Sequence, residues 1–177
     1  MKLHIGCGNK YLPGWKHVDV INAPHIDYLT NAQDLSMIKN ESIEEIYACH
    51  VLEHFGRKEI NAVLEEWNRV MIKGGVLRIA VPDFEKIALV YQKNKDLNEL
   101  MGLLYGGQNY DYNYHYQCFD FDRIKVLLGE ANFFEVKRYK WEEFLPEGFD
   151  DFSRAYLPHM DFANGVLMSL NIIARKS

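Results

Sequence analysis

Residues 4–20, HIGCGNKYLPGWKHVDV, decide how the rest of this 177-residue chain is read. Leu3 to Ile5 form a short apolar strand that runs into Gly6-Cys7-Gly8, and His17 to Val20 form a second strand carrying Asp19. Glycine lets the backbone turn at positive φ and approach a ligand closely. In an open parallel sheet, ligands sit beyond the carboxyl ends of the strands, where a carboxylate such as Asp19 can accept hydrogen bonds from both ribose hydroxyls. Two glycines in a tight turn also occur for structural reasons alone. The dinucleotide fingerprint fails, because its third glycine would fall on Tyr11, and the P-loop pattern is absent. No pyrophosphate cradle is expected.

Outward from this stretch, strand and helix signals alternate. His25 to Tyr28 is a short third strand and Ile43 to His50 a fourth. Between Arg57 and Ile72, apolar residues at Ile60, Val63, Leu64, Trp67, Val70 and Met71 follow the period of an amphipathic helix packed on a sheet. Lys73-Gly74-Gly75 is expected to stop that helix through a left-handed glycine. Val76 to Val81 is a β-branched strand suited to a buried central position. Helices over Phe84–Asn94 and Phe121–Ala131 follow, separated by a Gly/Asn/Tyr-rich loop from Gly106 to Tyr116. Phe134 to Tyr139 and Ser169 to Ala174 read as strands, and the aromatic stretch Trp141 to Asn164 as irregular. This order predicts a single α/β domain over residues 1–177 with a mostly parallel sheet and an antiparallel edge.

Composition narrows the function. With 48% apolar and 25% charged residues, the chain has an ordinary globular balance. A net charge of -5 argues against nonspecific attraction to nucleic acid or anionic membrane. The three cysteines, Cys7, Cys49 and Cys118, show no CxxC spacing, so neither a disulfide framework nor a Cys-rich zinc site is expected. His50, Glu53 and His54 do not follow the HExxH order, and no metal site is expected there either. No signal segment or membrane-length apolar run is present, which makes a reducing, cytoplasmic setting the default.

Taken in order, the motifs resemble class I S-adenosylmethionine-dependent methyltransferases, close to small bacterial members. The resemblance is carried by Gly6-Cys7-Gly8, Asp19, Asp34-Leu35, the segment HVLEH at 50–54, WNRVMIKGG at 67–75, the strand 76–81 and LLGEANFF at 127–134. It implies a Rossmann-like doubly wound sheet of seven strands, order 3-2-1-4-5-7-6, with strand 7 antiparallel. It also implies S-adenosylmethionine as cofactor. Gly6, Cys7 and Gly8 would line the methionine part, Asp19 and Val20 the ribose, Asp34 and Leu35 the adenine, and His50 and Val51 the region beside the sulfonium. This cofactor has no pyrophosphate, so the missing third glycine is no objection. The chain departs from the pattern in two ways. Only residues 6–16 separate strands one and two, with Pro13-Gly14 inside, so helix A is expected to be abbreviated or absent. Strand one also stands at the start, so the family's usual N-terminal helix over the cofactor is not expected. An open site, a covering segment elsewhere or a partner subunit follows from both.

Methyl transfer needs alignment and often a base, but no covalent nucleophile. His54, His115 and Asp83 are the candidates for that catalytic role. His54 also reads as a locally bonded helix residue and His115 as part of a surface loop whose tyrosines pack on the core. Substrate and lid elements are expected at 102–120 and 141–164, the latter also serving as a homodimer contact in a second reading. A small-molecule or glycan-precursor acceptor is expected, and a nucleic-acid substrate is not, since the Asn/Asp-Pro-Pro-Tyr/Phe motif is absent. The competing reading is a noncatalytic methyltransferase-like domain that binds a partner. Nicotinamide-dependent oxidoreduction is a third, disfavoured by the failed fingerprint.

Overall fold

The computed structural model describes residues 1–177. In chain order its strands are β1 (Lys2–Ile5), β2 (Lys16–Asp19), β3 (Tyr28–Leu29), β4 (Ile43–Cys49), β5 (Met71–Pro82), β6 (Phe133–Arg138), β7 (Tyr156–Leu157), β8 (Val166–Leu167) and β9 (Ser169–Lys176). Its helices are α1 (Ile60–Val70), α2 (Phe84–Asn94), α3 (Met101–Tyr105) and α4 (Phe121–Glu130). Seven strands form one sheet in the order β3-β2-β1-β4-β5-β9-β6. β1 to β5 pair in parallel, and β9 runs antiparallel to both β5 and β6. Counting β6 and β9 as the sixth and seventh strands of this sheet gives the order 3-2-1-4-5-7-6. β7 and β8 form a separate two-stranded ribbon inside the stretch read as irregular.

α1 forms where the apolar period is strongest and buries Ile60, Val63, Leu64, Trp67 and Val70. It is shorter than the span 57–72. Residues 57–59 are a turn, and the chain passes from Val70 directly into β5. Gly74 does take a left-handed φ of 72°, but as part of a bulge rather than a helix stop. Met71 pairs with Ile43 and Val76 with Glu45, so the residues between them loop out of register.

Strand alternation gives the sheet two different faces. Leu3, Ile5, Val18, Ile46, Ala48, Leu77, Ile79, Leu170 and Ile172 join the buried faces of α1 and α4 in one core. The other face presents His4, His17, Tyr47, Cys49 and Arg78. No helix forms between β1 and β2: residues 6–15 make turns, with Gly14 at φ 82°. Ten residues containing Pro-Gly are too few to build and reverse a helix, and helix A is therefore missing rather than abbreviated. Leu12 and Trp15 from that connection, with Phe144, Leu145 and Phe149, cover Tyr47, Cys49 and Ala80 instead. The 141–154 segment is tied down by its polar groups. Tyr47 Oη donates to Asp151 Oδ2 at 2.6 Å, and Asp151 Oδ1 accepts from the backbone N and Oγ of Ser153 at 2.9 and 2.6 Å. Asn171 Nδ2 donates to Ser153 O at 2.8 Å. Burial first, and nearby acidic groups second, raise the Tyr47 phenol well above its usual range, so it stays a donor.

Candidate functional site

The glycine turn at the carboxyl end of β1 is shaped by its neighbours. Gly6 has φ 63°, and a Cβ there would lie 2.3 Å from Val51 Cγ2. Gly8 has φ 54°, and a Cβ there would meet nothing within 4 Å. Gly8 lines a cleft of about 400 Å³ together with Asp19, Val20 and Val51. Asp19 Oδ2 accepts from Gly8 N at 2.7 Å and Oδ1 from Ile21 N at 2.8 Å. The carboxylate thereby sets the turn's shape, while each oxygen keeps accepting capacity for a ligand.

Residues 30–33 form one end of this cleft. They belong to a helix-free connection that α1 holds in place. Trp67 Nε1 donates to Ala32 O at 2.8 Å, and the Arg69 guanidinium donates to Leu35 O and Ile38 O at 2.9 and 3.1 Å. Asp34 and Leu35, expected at the adenine, do not line the cleft. Leu35 is fully buried in the main core, and Asp34 faces solvent, accepting from Ser36 N at 3.1 Å. Thr30, Asn31, Ala32 and Gln33, from the same helix-free connection, line the cleft instead. Tyr110, Tyr112 and Tyr116 approach the cleft from the opposite side. Their loop is fastened where Tyr116 N donates to Glu53 O at 2.8 Å and Gln117 Nε2 donates to Phe55 O at 2.7 Å.

A second chamber of about 530 Å³ meets the cleft at Gly6, Gly8, His50, His54 and Tyr110. Cys7 opens into this chamber rather than the cleft. Burial, then the charge of Asp19, pushes its thiol up to about 12, so it stays protonated. His115, Phe152, Tyr156 and Met168 complete the walls that matter here.

His50 directly follows β4 with a left-handed φ of 54°, a conformation that His tolerates better than most residues. Its Nδ1 lies 3.0 Å from Glu53 Oε1 and its Nε2 3.5 Å from Ser169 Oγ. His54 Nδ1 is 3.0 Å from Tyr114 O, and His115 Nδ1 is 3.0 Å from Leu103 O. The two rings stand edge to face with centroids 4.9 Å apart. Burial lowers the His115 pKa, outweighing the pull of Glu53. Glu53 is fully buried beneath these rings. Burial opposes its charge, but the nearby His50 first, then His54 and His115, hold its carboxyl below the usual range.

Asp83, the third catalytic candidate, lines neither compartment. It is buried as the N-cap of α2, accepting from Glu85 N at 3.0 Å, and it pairs with Arg138 Nη1 at 3.2 Å. An Asp before a helix is a strong capping signal in its own right. Sequence reasoning missed Glu53 as a site residue, although HVLEH places it between two histidines. It also missed Thr30 to Gln33 and Phe152, for which no local pattern exists.

Residues 15–79 match the family model described as a methyltransferase domain, a stretch running from the edge of β2 into β5. No curated protein matches the chain at a significant level. Among solved structures, a SAM-dependent methyltransferase from Thermotoga maritima superposes with a TM-score of 0.60 at 18% identity, covering 99% of this chain and 81% of that one. A SAM-dependent methyltransferase from Methanosarcina mazei gives 0.58 at 17% identity over 99% and 91%. A 1,6-didemethyltoxoflavin-N1-methyltransferase from Burkholderia thailandensis, solved with bound 1,6-didemethyltoxoflavin and S-adenosylhomocysteine, gives 0.56 at 16% identity over 99% and 70%. The chain has the fold of class I S-adenosylmethionine-dependent methyltransferases, as its motifs implied.

Proposed function

We propose that this chain is an S-adenosylmethionine-dependent methyltransferase acting on a small-molecule or glycan-precursor acceptor. The observation that carries this reading is the pair of joined compartments. A cleft bounded by Gly8 and Asp19 adjoins, at His50 and His54, a chamber with its own lining. In-line transfer requires donor and acceptor to face each other through one such opening.

The residues present fit the cofactor. Gly8 leaves the backbone approachable, and Asp19 keeps lone pairs for two ribose hydroxyls. Thr30 to Gln33 flank the space for adenine, and Tyr110, Tyr112 and Tyr116 line the cleft as well. The bound cofactor supplies a methyl group already activated by its sulfonium. The chain's own task is to align an acceptor and receive its proton. The backbone carbonyls of Tyr114 and Leu103 fix protons on Nδ1 of His54 and His115, two residues that line the chamber, leaving Nε2 of each as an acceptor. A chamber of about 530 Å³ with aromatic and histidine walls suits a hydroxylated or planar compound of modest size. The acidic net charge disfavours a nucleic-acid acceptor. No helix is long and apolar enough to cross a membrane. Three free thiols agree with a cytoplasmic setting.

Hydrogen exchange with and without S-adenosylhomocysteine tests this assignment. Protection is expected at Gly6–Lys10 and at residues 30–33, while Phe152–Leu157 in the acceptor chamber stays unprotected. Protection confined to the chamber, or none at either segment, overturns it.

A further inference from the structure

The geometry points to a binding site for one first-row transition-metal dication, held by Glu53, His54 and His115 at the wall of the acceptor chamber. One donor atom from each of these residues lies within 4.8 Å of the other two. Three independent features favour a cation there.

The first is Glu53. Its side chain is fully buried, and neither carboxylate oxygen has a hydrogen-bond partner. His50 Nδ1 comes within 3.0 Å of Oε1, an ion-pair distance at which the ring N–H is not aimed at the oxygen. Oε2 likewise has no hydrogen-bond partner. A buried carboxylate left in this state is costly, and such groups call for an explanation.

The second is the orientation of the two imidazoles. Each Nδ1 sits 3.0 Å from a backbone carbonyl, Tyr114 O for His54 and Leu103 O for His115. A carbonyl only accepts, so each Nδ1 carries the proton and each Nε2 presents a lone pair. Metal-binding histidines are characteristically held in this way by an outer partner.

The third is position. His54 and His115 both line the chamber, so a cation between them keeps an open coordination position toward the acceptor. Two imidazoles and one carboxylate suit zinc, cobalt, iron or manganese, whereas magnesium and calcium favour oxygen ligands throughout. Bonds of about 2.0–2.2 Å require donor atoms no more than ~4.4 Å apart. His115 lies on a loop and can close the remaining few tenths of an ångström.

The role of such a cation rests on the methyltransferase reading: it would hold an acceptor oxygen beside the cofactor cleft, with His54 and His115 acting as ligands rather than bases. Binding of the metal itself does not rest on that reading. The untagged chain, stripped with chelator, is therefore titrated with Co2+ by visible absorption, and in parallel with S-adenosylhomocysteine by calorimetry. The expected result is saturable binding of one Co2+, displaced by Zn2+. Affinity should fall at least about tenfold in His115→Ala and Glu53→Gln, the scale on which even outer partners of metal sites act. His25→Ala should bind Co2+ as the wild type does. His115→Ala, altered on a partly exposed loop, serves if Glu53→Gln fails to fold. Absent Co2+ binding, or binding equal in wild type and His115→Ala, overturns the metal site. If S-adenosylhomocysteine still binds in that case, the methyltransferase reading stands alone. Co2+ binding that depends on His115, without S-adenosylhomocysteine binding, upholds the metal site and overturns the methyltransferase reading.

Discussion

Replacing Gly6 and Gly8 by alanine separately should split stability from ligand binding. Both glycines are left-handed, so each alanine costs about 1–2 kcal/mol in backbone strain. At Gly6 the new methyl would also lie 2.3 Å from Val51 Cγ2, well inside contact distance. Overpacking of that kind adds ~1–3 kcal/mol, giving roughly 2–5 kcal/mol in all. For a domain of this size the loss lowers Tm by about 5–20 °C. Val51→Ala removes the clashing carbon at a cost of ~2 kcal/mol. The double variant Gly6→Ala/Val51→Ala should then be more stable than the sum of the two single losses by about 1–3 kcal/mol. At Gly8 only the strain applies, but the methyl is added to a residue that lines the cleft and should weaken S-adenosylhomocysteine at least about tenfold. Urea unfolding followed by tryptophan fluorescence gives the stabilities, and calorimetry gives the affinities. Additive losses at Gly6 and Val51, or a Gly8→Ala variant that binds as tightly as the wild type, would refute this reasoning.

Two further predictions concern the sheet face opposite α1 and α4. Burial, then the charges of His17 and His25, lowers the His4 pKa to about 3. Unfolded His4 takes up a proton below about 6.5 while folded His4 stays neutral, so stability falls as pH drops from about 6.5 toward 3. The loss from this residue is about 2–3 kcal/mol near pH 4.5. The variant His4→Asn should show a visibly flatter stability profile between about pH 6.5 and 4.5, with His17, His115 and low-lying carboxyls such as Glu53 contributing to the slope that remains. An unchanged slope would contradict the account. Asp151→Ala strips the acceptor from Tyr47 Oη and from both donors of Ser153, and should cost about 3–5 kcal/mol by urea unfolding. Tyr47→Phe, which removes the buried donor as well, should cost only about 1 kcal/mol, and equal losses would argue against this anchoring.

Much of the architecture was legible because short periods write it into the chain. The apolar rhythm of Ile60, Val63, Leu64 and Trp67 marks α1, and the β-branched run Val76–Val81 marks the centre of β5. Gly6, Gly8, Asp19 and the HVLEH segment were recognisable for the same reason, since each motif is local. What escaped depends on distant partners. Nothing near Asp151 says that it meets Tyr47, 104 residues away. The aromatic stretch 141–154 looks irregular because it follows the contour of a sheet face rather than a helical or strand period. Asp34 and Leu35 lie outside the cleft because the connection they occupy has no helix of its own and takes its course from Arg69 and Trp67.

The most direct test of the central claim is calorimetric titration of the wild type and of Asp19→Ala with S-adenosylhomocysteine. Two charge-assisted hydrogen bonds to ribose are worth about 3 kcal/mol or more together. The account predicts one saturable site in the wild type and affinity weakened at least ~100-fold in Asp19→Ala. No binding to the wild type at millimolar ligand, or equal binding by the two proteins, would contradict it.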